Sequence, residues 1–146
     1  MSWENVRITH RTSGATLLEI RWPNLSAGAT GTEVPLRITN ISASPAVTLT
    51  NFRLAAKLIT GIFTGGSNEQ GQEALDGKWI QARTGANPFQ AIGGKYGTDG
   101  VAANYLALAN LAAGAFVDVD VRVVLPAAPV TPRIARLRLG VSYEAV

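Results

Sequence analysis

The sequence contains no cysteine, a single histidine and a single methionine among 146 residues. Without cysteine there is no disulfide framework, no thiolate metal site and no thiol nucleophile. The one histidine, His10, lies in a polar stretch beside Arg7 and Arg11. A histidine-based triad or zinc site needs further partners, so His10 reads as an exposed, inert side chain. Charge is also scarce, at 16% of residues, against about a quarter in ordinary globular domains. With 47% hydrophobic residues the chain is not disordered by composition. A surface this poor in charge points either to a face covered by a partner or to a small Ala- and Gly-rich domain. Long apolar runs are missing too. The longest uncharged run, Gly100 to Val117, is interrupted by Asn104, Asn110 and Gly114, so no membrane association is expected. The start, Met1 to Asn5, has neither a basic nor an apolar leader segment, which predicts synthesis in the cytosol. Without a secretory route, the acceptor patterns at Asn24-Leu25-Ser26 and Asn40-Ile41-Ser42 carry no weight.

The net charge of +3 and pI near 9.7 are basic but thinly spread. Arg7, Arg11, Arg21, Arg37 and Arg53 stand singly among apolar residues, and only Arg133, Arg136 and Arg138 cluster. A nucleic-acid binder shows a basic stripe with interleaved aromatics, so no nucleic-acid partner is expected.

What the chain does have is period-two alternation, the mark of half-buried strands. Val34, Leu36 and Ile38 alternate with Pro35, Arg37 and Thr39. Pro35 has no donor and belongs near a strand start or on an edge. Val47 and Leu49 continue the pattern after a turn at 40–45, and Phe52, Leu54, Ala56 and Leu58 resume it in the opposite phase. That phase switch predicts a bulge or bend near Asn51. Phe116 to Leu125 is the clearest strand, with Val117, Val119, Val121, Val123 and Leu125 on one face. Ala135 to Tyr143 forms the last, with Leu137, Leu139 and Val141 on its apolar face. Tyr105 to Leu111 fits a helical stripe or a strand, and its close turn residues favour the strand. Residues 60–77 and 84–103 read as long Gly-rich loops, the second pinned by Phe89 and Ile92. Residues 1–16 read as an extended arm or an edge strand, ahead of a domain over 17–146. About seven or eight strands indicate an all-β, single-domain β-sandwich or barrel.

Asp118 and Asp120 lie two residues apart on one strand face. Paired carboxylates can hold a metal or run acid–base chemistry. Yet Arg122 continues their row, and Arg136 and Arg138 form a basic row on the last strand. The preferred reading is therefore a structural charge ladder across adjacent strands. Gly93-Gly94-Lys95-Tyr96 fails the phosphate-loop pattern, since Phe stands at position 89 and Tyr at 96. Trp3, Trp22 and Trp79 with Tyr96 and Phe89 could form a sugar-stacking platform, but serve equally as core and interface anchors. No catalytic residue, metal site or cofactor site is expected.

Trp79 to Arg83, Pro88 to Gly93, Tyr105 to Leu108, Leu111 to Gly114, Val117 to Arg122, Leu125-Pro126-Ala127 and Leu137 to Tyr143, with Val34 to Asn40 upstream, together resemble virion structural proteins of tailed bacteriophages. The chain looks most like the auxiliary, or decoration, proteins that coat expanded capsids, including those of thermophilic phages. The resemblance implies a β-sandwich or jelly-roll-like subunit, often trimeric, that binds the major capsid protein on the shell's outside and reinforces it. It also implies extended terminal arms that hook neighbours. Here Trp3, Val6 and Ile8 would anchor such an arm, with Arg7 and Arg11 pairing at its rim. The competing expectation is a carbohydrate- or surface-binding β-sandwich module of a larger assembly.

Overall fold

The structure, a computed structural model, describes residues 5–17, 20–22, 28, 30–57, 80–96, 102–124 and 135–146. Among them every regular element is a strand: β1 (Val6–His10), β2 (Ile20–Trp22), β3 (Val34–Asn40), β4 (Leu49–Lys57), β5 (Ile80–Thr84), β6 (Gln90–Ala91), β7 (Gly93–Tyr96), β8 (Ala102–Asn104), β9 (Leu106–Leu108), β10 (Phe116–Val123) and β11 (Ala135–Ala145). Among the described residues no helix is long and apolar enough to cross a membrane. The loop expected over 60–77 lies outside the described residues, as do Trp3 and Trp79.

The strands form one antiparallel sheet in the order β1-β3-β10-β5-β6 and a second in the order β2-β11-β4-β9, with β7 and β8 paired separately. The apolar faces of the two large sheets share a single core, giving the expected β-sandwich. Leu36, Ile38, Val119, Val121 and Val123 fill it from the first sheet. Phe52, Leu54, Ala56, Leu106, Leu139 and Val141 fill it from the second. Every one of these lies on the alternating apolar positions of its strand. The apolar face of β9 is Leu106 and Leu108, so the Tyr105–Leu111 segment is a strand at its centre.

The phase switch in β4 has the predicted cause. Thr50 pairs with Glu144 and Arg53 with Ser142, so Asn51 and Phe52 oppose the single residue Tyr143. The extra residue is absorbed at Asn51, which has φ of 48°. Asparagine tolerates that left-handed conformation better than most side chains. The bulge turns Phe52 inward, where its ring meets Tyr143 edge-on at 6.0 Å.

Pro35 sits near the start of β3, as expected. Its carbonyl accepts from Arg11 N at 3.0 Å, just beyond the last β1 pair, His10 with Leu36. The reciprocal bond, from residue 35 back to Arg11, is the one a proline cannot make, and the β1–β3 ladder ends there.

One expectation needs correction, and one open choice is decided. Residues 84–103 are not a plain loop, because β6, β7 and most of β8 lie within it and Ile92 is buried in the core. Strands of two to four residues, one containing two glycines, leave no period to read. The N-terminal segment, open between an extended arm and an edge strand, is an edge strand over Val6–His10. Val6 to His10 pairs along its whole length with β3, and Val6 and Ile8 are buried in this chain's own core. Two inward apolar residues, spaced by two, are worth more inside the sandwich than held out for a neighbour. The return segment 15–17 then covers the outer edge of β1: His10 N donates to Ala15 O at 2.9 Å and Leu17 N to Ile8 O at 2.8 Å.

Candidate binding face

The outer face of the first sheet follows directly from β-sheet alternation. With Val6, Ile8, Leu36, Ile38, Val119 and Val121 turned inward, Arg7, Thr9, Arg37, Thr39, Asp118, Asp120 and Arg122 must point outward. Register then decides which of them meet. Asp118 lies opposite Arg37, Asp120 lies between Pro35 and Arg83, and Arg122 lies opposite Gln81.

The contacts match this register. Arg37 holds Asp118 with two bonds, Nε to Oδ1 at 2.8 Å and a second nitrogen to Oδ2 at 3.2 Å. Asp120 accepts from Arg11 at 2.6 Å and has Arg83 Nε 3.9 Å from its other oxygen. Arg83 reaches Glu33 at 3.2 Å. Arg122 Nε donates to Gln81 at 2.9 Å. Aromatic rings complete the row. The Arg37 guanidinium lies 3.8 Å from the centroid of the exposed Phe116 ring. Those of Arg83 and Arg122 lie 4.4 and 3.8 Å from that of Phe89. A guanidinium stacked on a ring keeps its in-plane donors free while losing rotamer freedom. Among the described residues the face is therefore an array of four held guanidiniums, those of Arg11, Arg37, Arg83 and Arg122, against the carboxylates of Asp118, Asp120 and Glu33.

The charge ladder expected of Asp118, Asp120, Arg122, Arg136 and Arg138 is half right. The β10 row exists, but its partners are Arg37, Arg11, Arg83 and Gln81. Arg136 and Arg138 belong to the other sheet, where their backbones pair with Arg21 and Lys57. Strands consecutive in sequence need not be adjacent in a sandwich, and here the chain crosses between sheets after β10. Arg7 is exposed on the outer face. Arg11 pairs with Asp120 of its own chain. Gly93 to Tyr96 is a strand paired with β8, not a phosphate cradle. Phe89, once considered for sugar stacking, has its ring covered by two guanidiniums. Among the described residues no three His, Asp or Glu side chains gather as a metal site.

The Arg37 hydrogen bonds hold the Asp118 carboxyl below its ordinary value of 3.8, against an opposing contribution from partial burial. A depressed carboxyl pKa stabilises the fold above the unfolded value, and that stability is lost as pH falls through the folded value. Asp118→Asn should therefore melt lower than the parent at neutral pH, with the gap closing as acid protonates Asp118 below 3.8. Thermal melts across an acid series check this. A gap that persists undiminished at the acid end would show that the pair contributes nothing through its charge.

On the second sheet an open polar cleft lies at the bulge, lined by Asn51, Arg53, Ser142, Tyr143 and Glu144. Asn51 donates to Glu144 at 3.0 Å, and Arg53 stacks on Tyr105 at 4.4 Å. These contacts engage Asn51, Glu144 and Arg53 within the chain. Compared with known proteins, the chain matches no protein-family model and no curated protein.

Proposed function

We propose that this chain is a non-enzymatic structural subunit of a virion that attaches to the outside of a capsid shell through the outer face of its five-stranded sheet. The observation that carries this reading is the fixed guanidinium–aromatic–carboxylate array on that face. Arginine and aromatic side chains dominate the energetics of protein–protein contacts. Here they are pre-ordered by stacking and ion pairing, so less side-chain entropy is lost on docking. The mixed charge suits a polar protein surface better than a phosphate backbone, because Arg37, Arg11 and Arg83 already face carboxylates. The resemblance to capsid auxiliary proteins supplies the major capsid protein as the partner and the virion surface as the location.

The test is co-sedimentation of the purified protein with empty shells of a tailed phage that carries this sequence. Phe89→Ala combined with Arg122→Ala should weaken retention by roughly 30-fold or more, the effect of losing about 2 kcal/mol at an interface hot spot. Retention of the double variant at parental levels would remove this face from the contact. Failure of the parent to sediment with shells would remove the proposal.

A further inference from the structure

The bulge in β4 does more than turn Phe52 inward. In an unbroken strand counted from the buried Leu49, alternation would send Asn51 and Arg53 into the core. The extra residue reverses that phase, so both stand on the outer face of the second sheet, Asn51 exposed and Arg53 half-buried. The exposed Ser142 and Glu144 of β11 stand on the same face, Ser142 directly opposite Arg53. With Tyr143 these residues line the cleft, which encloses about 230 Å³. Bulges often re-aim side chains at functional sites. Asn51 is also the one described residue other than glycine with a positive φ.

Arg53 is the exception among the stacked arginines. Arg37, Arg83 and Arg122 each lie over a ring and each also bond to an acceptor of the chain: Asp118, Glu33 and Gln81. Arg53 is held over Tyr105, yet among the described residues it bonds to no acceptor. Stacking fixes the direction of its planar fork and leaves the donors to an outside partner. Across the cleft, Glu144 receives the Asn51 amide on Oε2 alone. Its other oxygen and the Asn51 amide oxygen meet no described donor. Arg53 and Glu144 thus share one cleft without pairing.

We propose that this cleft binds a sugar acid, free or as the terminal residue of a glycan, with its carboxylate on Arg53 and its hydroxyls on Asn51, Ser142 and Glu144. A guanidinium fork matches a carboxylate through two parallel bonds. A hydroxyl both donates and accepts, so it suits a wall that mixes an amide, a hydroxyl and a carboxylate. Inorganic phosphate would meet Glu144 as a like charge. An ammonium group only donates, so an amino acid would leave the Asn51 amide hydrogen without a new acceptor. The inference goes beyond shell attachment, because it gives a different ligand to a different sheet.

A chemical-shift titration of the nitrogen-labelled full chain with glucuronate tests it. At roughly 13 non-hydrogen atoms and the efficiency usual for larger ligands, a dissociation constant of about 1 mM is expected. The shifts should centre on Asn51, Arg53, Ser142 and Glu144. Arg53→Lys keeps the charge without the fork, and should bind about 10-fold more weakly or worse while melting like the parent. Should that variant fail to fold, Glu144→Gln gives an independent reading: glucuronate still binds, and phosphate gains affinity over the parent. Glucose, which lacks the carboxylate, and acetate, which lacks the hydroxyls, should each bind more weakly than glucuronate. The methyl glycoside of glucuronate should bind like the free acid if the site serves a glycan, and not at all if it serves the free sugar alone. Absence of shifts in the cleft at about ten times the expected constant overturns the proposal. So does glucuronate binding unchanged by Arg53→Lys, or glucose or phosphate binding as tightly as glucuronate. The double variant Phe89→Ala with Arg122→Ala should bind glucuronate as the parent does, and Arg53→Lys should sediment with shells as the parent does, so the two readings fail separately.

Discussion

Val119→Asp is expected to leave no folded protein at ordinary temperature. Val119 has no exposed surface and lies mid-strand in β10, between Leu36 of β3 and Thr84 of β5. The described residues that form the core cluster around it are all aliphatic or aromatic. An unpaired carboxylate there costs several kcal/mol to bury, even after it takes up a proton. Loss of the valine removes about 1.5–3 kcal/mol of apolar burial as well. A domain of this size is stable by only about 5–15 kcal/mol in total. Leu139→Asp makes the same demand of the second sheet, where Leu139 lies opposite Ala56 on β4. Ala107→Asp, on the exposed position of β9, is the control and should melt within a few degrees of the parent. Circular dichroism melts separate the outcomes. An unchanged midpoint for Val119→Asp would mean that the inward face of β10 is misassigned.

That face was readable from β10 itself, because one buried side forces strict alternation over eight residues. The partners of its outer row were not. Asp118 and Arg37 are 81 residues apart, and which strand lies beside β10 is a matter of topology, to which local alternation is blind. Arg136 and Arg138 offered the nearest basic row in sequence, on a strand that packs in the other sheet. The bulge at Asn51 was readable for the opposite reason. A change of phase within one strand must be absorbed by an extra residue, and Asn is one of the few types that fits there. β1 falls between these cases. Val6 and Ile8 carry only two apolar positions, consistent with an arm or with an edge strand. Their burial in the core, with β1 paired along β3, decides for the strand. Deleting residues 2–12 would now be expected to unfold the domain's edge rather than trim an arm.

Asn40 passes in the sequence for one more turn residue, yet the structure makes it the joint between the turn after β3 and the segment around Leu111. It has no exposed surface. Its amide nitrogen donates to Val47 O at 2.8 Å and to Leu111 O at 2.9 Å. Its amide oxygen accepts from Ser42 N at 3.0 Å and from Ser42 Oγ at 2.7 Å. All four bonding positions of the side chain are thus filled, which also leaves no free amide for glycosylation at the Asn40-Ile41-Ser42 pattern. Asn40→Leu keeps the volume and removes all four bonds. Val47 O and Leu111 O retain other donors, Ser42 Oγ and Leu49 N, but Ser42 N loses the acceptor seen here. Four lost bonds at about 1 kcal/mol each and a stranded donor, offset by about 2 kcal/mol from burying the leucine side chain, leave a net cost of about 3 kcal/mol. For a chain of this length that corresponds to a fall in melting temperature of roughly 10 °C. Asn40→Asp should be worse at neutral pH, because a carboxylate oxygen would face two carbonyl oxygens inside the protein. Burial and those carbonyls would raise its folded-state pKa above the unfolded value. The aspartate variant should therefore regain stability relative to the parent as pH falls, whereas the leucine variant should not. Urea titrations of both variants at neutral and acid pH distinguish the two. Equal pH dependence in the aspartate and leucine variants would show that position 40 does not face the Val47 and Leu111 carbonyls, and the cross-tie between the segments carrying them would have to be abandoned.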